Sequence, residues 1–182
     1  MAESPDILPP PDSPGGIEEI MIAWKERAGK SRQENYAFLL SLKYRSPEKV
    51  DQLARRLHEK AFSILDCSKC ANCCRTVGPK FSAEDIARIA GHLGVSQGAF
   101  SDEYLLPDNY GLEDGRVAKG LPCPFLGEAN ECTIYAVRPV ACRQFPHTSK
   151  RLFASRMNLH LRNTLHCPAV FYIVEQMKKG GC

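Results

Sequence analysis

The stretch CSKCANCCRTVG, residues 67–78, holds four cysteines within eight residues, and the last two of these cysteines are neighbours. The four are Cys67, Cys70, Cys73 and Cys74. Two residues between cysteines allow a tight turn to direct both sulfur atoms at one ion, as in zinc knuckles and iron–sulfur loops. Three cysteines at this interval are typical of the ferredoxin run, in which a further ligand comes from elsewhere in the chain and precedes a proline. Cys123 and Cys167 both precede a proline, so each is a candidate for that ligand.

The adjacent cysteines raise a separate question. Because neighbouring side chains diverge, we predict that Cys73 and Cys74 serve different sites, or that one binds the metal and the other packs in the core. Outside the cluster lie Cys123, Cys132, Cys142, Cys167 and Cys182. Without the terminal Cys182 the count is eight, which fits two four-thiolate sites, or one cluster together with structural thiols.

The compartment decides how these thiols are interpreted. The start of the chain, MAESPDILPPPDSPGG, has neither the basic nor the apolar region of a secretory signal, so we expect a cytoplasmic protein. Disulfides do not persist in the reducing cytoplasm, and metal binding then explains nine cysteines in 182 residues. Disulfides are the alternative if the protein is exported by a route that the sequence does not reveal.

Composition and pattern predict a mainly α fold with a loop-rich, metal-stabilised cysteine domain and one small β-hairpin within residues 107–131. We divide the chain into a disordered tail (1–16), a helical N-terminal segment (17–66) and a cysteine-rich metal-binding domain (67–182). The net charge of +3 is mild, and no apolar run is long enough to span a membrane. Neither a membrane nor a nucleic acid is therefore predicted as a partner.

Local signals place several helices. Ser46 and Pro47 suit the start of a helix whose apolar stripe runs from Val50 to Ile64. Residues 82–105 indicate two short helices that begin after Ser82 and Ser96 and are separated at Gly94, and their pattern resembles a helix-turn-helix. The second of these helices carries acidic residues and no Lys or Arg, which argues against DNA binding. Residues 151–165 fit a strand or a helix equally well, and Pro168–Met177 predicts a closing helix.

The segments CSKCANCC and CPFLGEANECTIYAVRPVACRQFP together resemble the YkgJ-type cysteine-cluster family, described as a zinc- or iron-chelating domain with eight cysteines. The resemblance runs from about Cys67 to Cys167 and does not include the first 66 residues. Some larger relatives, the FliB-type flagellin lysine methylases, carry this kind of cluster and are associated with an iron–sulfur centre. The resemblance implies metal chelation by Cys67, Cys70, Cys73, Cys74, Cys123, Cys132, Cys142 and Cys167.

Basic residues accompany the later cysteines. From Cys132 to Val174 the chain has six Lys or Arg residues and no Asp or Glu. Arg138 and Arg143 are therefore candidates to donate hydrogen bonds to cluster sulfurs or to offset their charge, although a solvated basic face or a phosphate-binding patch fits the same residues. A rigid bend at Pro139 would position Cys142. His147 and His166 are interpreted as residues outside the ligand set, and Tyr135 as a core residue.

The predicted function is that of a metal-binding protein that holds an iron–sulfur cluster, of the 4Fe-4S type, and/or zinc. The role would be non-catalytic: structural, electron transfer, or delivery of metal or cluster to a protein partner. The alternative is a metal-dependent protein-modifying enzyme such as a FliB-like lysine N-methyltransferase, so catalytic activity stays open. The chain has no recognisable S-adenosylmethionine loop, which weighs against this alternative.

Overall fold

The computed structural model describes residues 16–108 and 115–180. Within these residues, short helices and strands follow one another in this order: α1 (Gly16–Ala28), α2 (Arg32–Ser41), α3 (Pro47–Ile64), α4 (Cys67–Cys70), α5 (Asn72–Thr76), β1 (Lys80–Phe81), α6 (Ala83–Leu93), α7 (Gln97–Tyr104), β2 (Leu105–Pro107), β3 (Arg116–Ala118), α8 (Val140–Gln144), α9 (Met157–Asn163) and α10 (Pro168–Lys179). The predicted tail, residues 1–16, lies outside the described residues except for Gly16, which begins α1. Among the described helices, none is both long and apolar enough to cross a lipid bilayer.

The chain forms two compact units. In the described parts, the first unit comprises residues 16–66 together with 146–180, and the second comprises residues 67–145. The second unit contains seven of the eight predicted metal ligands, and Cys167 belongs to the first.

The first unit is built around α10, which contacts α1, α2, α3 and α9. Nearly every side of this helix is covered, since its buried residues are Pro168, Ala169, Val170, Phe171, Tyr172, Ile173, Val174 and Met177. A helix that is apolar all round belongs in the centre of a packing unit. Each large side chain of this kind contributes about 1.5–3 kcal/mol through burial. The indole N–H of Trp24 also donates to the Thr164 carbonyl at 2.7 Å, which ties α1 to the residue after α9.

The predicted start and end of α3 are confirmed. The Ser46 hydroxyl accepts a hydrogen bond from the Lys49 N–H, Pro47 occupies the first helical position, and the helix stops before Leu65. Val50, Ala54 and Ala61 are buried along the predicted stripe. The closing helix is likewise confirmed as α10.

Residues 151–165, for which the sequence left strand and helix open, are helical. A 3-10 turn at Phe153–Arg156 leads into α9. The Asp51 carboxylate of α3 accepts hydrogen bonds from the N–H groups of Leu152 (2.7 Å) and Phe153 (2.8 Å). These two bonds satisfy backbone donors at the start of the turn, so a distant side chain selects the helical form.

The second unit combines a small antiparallel sheet, in the order β1–β3–β2, with α4–α8. β2 and β3 form an antiparallel pair in which Leu106 pairs with Val117, so a pair of strands is confirmed, but β2 begins at Leu105, before the predicted range of 107–131. β1 adds a third strand that the sequence did not indicate, because two residues carry no alternating pattern. As predicted, Ser82 and Ser96 cap α6 and α7, and Gly94 ends α6 with a φ of 70°. The fold class is thus mainly α with a small sheet, as expected.

Aromatic rings form the core of this unit. The rings of Phe100 and Phe125 stack with their centroids 6.0 Å apart, and Phe81 and Tyr104 also contact Phe125. Ile89 of α6 and Ile134 complete the buried centre. Cys123 is part of this core, with 9% of its surface exposed, and Cys74 and Cys132 pack against it. The core therefore supports one side of the candidate site.

Candidate metal centre

The opening motif folds as two short helices, α4 and α5, that meet at Ala71. Ala71 is buried and has a φ of 45°, and its N–H donates to the Cys67 carbonyl at 2.9 Å. Cys67 is exposed, whereas Cys70, Cys73 and Cys74 are half-buried. The sulfur atoms of Cys73 and Cys74 lie 4.0 Å apart. The two sulfur atoms are therefore near each other, and that the two cysteines serve different sites, or divide between metal and core, stays a prediction.

A backbone bond joins the motif to the next cysteine. The Cys123 N–H donates to the Cys74 carbonyl at 2.7 Å. Beyond Cys123 the chain folds back on itself: the Leu126 N–H donates to the Cys123 carbonyl at 3.0 Å, and Leu126 forms a β-bridge with Cys132. The Thr133 N–H then donates to the Phe125 carbonyl at 2.9 Å. The loop from 123 to 132 thereby returns Cys132 to the neighbourhood of Cys74 and Cys123.

The fourth cysteine of this group, Cys142, lies on α8. Burial, together with the charges of Cys123, Cys74 and Cys132, raises the pKa of its thiol to about 12. Burial likewise raises the pKa of Cys123 to about 11, with added contributions from Cys74 and Cys132. Groups alter one another's pKa in this way only when they lie close together. Cys74, Cys123, Cys132 and Cys142 thus lie in the same part of the second unit, and we call them the four-thiol cluster.

The pKa values of Cys74 and Cys132 are shifted in opposite directions. A hydrogen bond from Cys73 is the main reason that the pKa of Cys74 lies below its ordinary value, and the Arg75 charge acts in the same direction. Burial raises the pKa of Cys132. A bound cation changes this balance, because it stabilises all four thiolates at once and displaces their protons.

The described residues contain no disulfide, and no group of three or more His, Cys, Asp or Glu side chains in them is spaced to hold a metal ion. The fit to a metal is therefore judged from the donor set. All four side chains end in sulfur and are half-buried or buried, and three of them, Cys74, Cys123 and Cys132, belong to or border an apolar core. Thiolates in such a setting are ligands for zinc and for iron–sulfur clusters.

Arg138 stands beside the four-thiol cluster. Its positive charge lowers the pKa of both Cys132 and Cys142, against the larger effect of burial. The guanidinium lies 3.8 Å from the centre of the Tyr135 ring, which holds it in place by a cation–π contact. Tyr135 is 60% exposed, so its assignment to the core is wrong: the ring faces water and supports the arginine instead. The Arg143 side chain is exposed, and its role as a cofactor contact stays a prediction.

Comparison with known proteins bears directly on this arrangement. The family model CxxCxxCC, described as "Putative zinc- or iron-chelating domain", matches residues 66–167. The chain belongs to the CxxCxxCC family. The predicted resemblance is thereby confirmed, and the eight predicted ligands all lie within the matched residues, which end on Cys167. No curated protein and no solved structure matches the chain.

The CxxCxxCC domain also fixes the end of α4 through polar contacts. Asn130, at the tip of the 123–132 loop, donates from its amide to the Lys69 carbonyl at 3.3 Å. The Arg75 guanidinium donates both to the Asn130 side chain and to the Cys70 carbonyl, the latter at 3.2 Å. These contacts hold α4 against the loop that carries Cys123 and Cys132.

The last cysteine of the CxxCxxCC match lies in the other compact unit. Cys167 is buried and directly precedes α10. His147 and His166 are half-buried, and burial lowers the pKa of both imidazoles. Their position outside the ligand set, like the metal-binding role of Cys67, Cys70, Cys73 and Cys167, stays a prediction.

Two residues of the CxxCxxCC domain that contact the segment before α8 were not predicted from the sequence. Asp85 and Arg88 of α6 make hydrogen bonds to the backbone around Pro139, which precedes the helix that carries Cys142. The capping pattern Ser82-x-x-Asp85 signals only the role of Asp85 in its own helix. Its second contact joins residues 55 positions apart and has no local signal in the sequence.

Proposed function

We propose that the CxxCxxCC domain holds an iron–sulfur cluster through Cys74, Cys123, Cys132 and Cys142, in a non-catalytic role. The observation that carries this proposal is that four thiols from three separate parts of the chain lie in the same part of the second unit, three of them in or against the aromatic core. Membership of a zinc- or iron-chelating family supports metal binding as such.

The donor set fits a closed centre. Four thiolates complete the protein coordination of a tetrahedral zinc ion or of a four-iron cluster, so no position is left for a substrate. Four thiolates on either group leave a net charge of about −2, which the guanidinium of Arg138 partly offsets. When bound, an iron–sulfur cluster supplies one-electron chemistry, whereas zinc supplies only structural stability.

The remaining family cysteines enter the proposal as metal ligands outside this closed four-thiol centre. Cys67, Cys70 and Cys73 have the interval of the ferredoxin run, and this favours iron–sulfur over zinc. Cys167 is retained because the family match ends on it and because it precedes a proline. Since Cys67 is exposed at the surface of the second unit, electron transfer or cluster delivery to a protein partner is the role that we propose.

The identity of the metal is tested by purifying the full chain without oxygen. We expect a brown protein with broad visible absorption that bleaches on addition of dithionite, and with iron and acid-labile sulfide in equal amounts. A colourless protein with stoichiometric zinc would show that the bound metal is zinc and not an iron–sulfur cluster. The four-thiol cluster would then stand as a structural zinc site.

A further inference from the structure

A buried carboxylate on α6 serves two parts of the second unit. Asp85 is only 2% exposed. Its carboxylate accepts a hydrogen bond from the Ser82 N–H at 3.2 Å, as part of the capping box of α6. The same carboxylate accepts from the N–H of Val140, at 3.1 Å to one oxygen and 3.4 Å to the other. Val140 is the first residue of α8, so Asp85 satisfies a backbone donor that begins the helix carrying Cys142.

Arg88, one turn further along α6, secures the residues just before α8. Its guanidinium pairs with the Asp85 carboxylate. It also donates to the carbonyls of Val137, at 3.4 Å, and Arg138, at 3.2 Å. The two side chains therefore bond to the backbone on both sides of Pro139.

The segment they hold has little stability of its own. α8 has five residues, and it follows a 3-10 turn of three residues and a proline. Helices this short do not persist without contacts from elsewhere, because nucleation costs more than one turn returns. The same segment carries Cys142, a member of the four-thiol cluster, and Arg138, whose charge acts on that cluster.

We propose that Asp85 and Arg88 form a clamp that positions Cys142, and with it Arg138, at the metal centre. Both are positioning residues, since they act through the backbone of residues 137–140. The inference rests on the proposed function, because it assigns to these two residues the placement of one ligand of that centre. Loss of either residue should therefore affect Cys142 and not the other three thiols. A residue that only stabilises the whole unit would affect all four.

The test measures alkylation of individual cysteines in the metal-loaded full chain. The protein is treated with iodoacetamide under argon for increasing times, and each cysteine is quantified by peptide mass spectrometry. The variants are Asp85→Ala, Asp85→Asn and Arg88→Met. Glu84→Ala is the matched control, because Glu84 lies on the same helical turn as Asp85 and its side chain is exposed.

We expect Cys142 to react on the order of tenfold faster in Asp85→Ala and Arg88→Met, the size of effect typical of losing a residue that orients a ligand. Cys74, Cys123 and Cys132 should keep their wild-type rates. Asp85→Asn should give an intermediate rate, because the amide oxygen still accepts from Val140 but does not attract Arg88. Glu84→Ala should change none of the four rates.

The clamp is contradicted if Cys142 stays as protected in these variants as in the wild type. It is contradicted as well if all four thiols lose protection equally in Asp85→Asn and Arg88→Met, since the pair would then act only on overall stability. If Asp85→Ala does not fold, the rates measured in Asp85→Asn and Arg88→Met decide whether the clamp exists. Rapid alkylation of all four thiols in the wild type would instead count against the proposed function.

Discussion

Removal of the metal is expected to unfold the second unit, residues 67–145, while the described parts of the first unit keep their structure. The second unit has strands of two and three residues and three helices of at most five, and its longer helices, α6 and α7, have 11 and eight residues. The first unit has helices of up to 18 residues around the buried α10. A structural metal contributes about 10 kcal/mol or more in small domains, which is comparable with the whole stability of a typical domain.

Hydrogen–deuterium exchange with mass spectrometry checks this expectation before and after treatment with a strong chelator. Peptides from 67–145 should lose protection, and peptides from α3 and α10 should retain it. Adding the metal back should restore the protection, which serves as the control for damage by the chelator. Unchanged exchange in the second unit after complete metal removal would mean that its core is stable without a metal.

Cys123→Ser is expected to weaken metal retention by at least about 100-fold, more than the loss of a residue that only orients a ligand. Cys123 is the most buried member of the four-thiol cluster, and its N–H is bonded to Cys74. Serine preserves the size of the side chain but replaces a thiolate by a hydroxyl that stays protonated at neutral pH. The three thiols that remain do not complete a four-ligand site.

Competition with a graded series of chelators measures this loss. Cys182→Ser is the matched control, because the same substitution is made at a cysteine outside the family match. We expect the control to bind metal like the wild type. Equal metal retention in Cys123→Ser and Cys182→Ser would remove Cys123 from the ligand set.

Much of the helical structure could be predicted because its signals are local. The cap at Ser46, the proline at Pro47 and the apolar stripe place α3 within a residue, and Ser82, Gly94 and Ser96 do the same for α6 and α7. The helical form of residues 153–163 could not be predicted. It depends on the Asp51 carboxylate, which lies about a hundred positions earlier in the chain.

The candidate site, too, could be predicted only where its signals are local. The sequence identified the thiols, since their number and intervals are visible, but not which of them lie together. That grouping follows from backbone bonds such as Cys123 to Cys74, and from the contact of Asp85 with Val140. Tyr135 was misplaced because an aromatic residue in a short turn fits a core position and a surface stack with Arg138 equally well.

The central claim is that the four-thiol cluster is a metal centre, and metal analysis of the native full chain tests it most directly. Protein isolated gently, without chelator and without oxygen, should contain stoichiometric iron or zinc. The same preparation of a variant with Cys74, Cys123, Cys132 and Cys142 all changed to serine should have lost the metal bound at this centre. Native protein that holds neither iron nor zinc, or a fourfold variant that retains as much metal as the wild type, would contradict the claim.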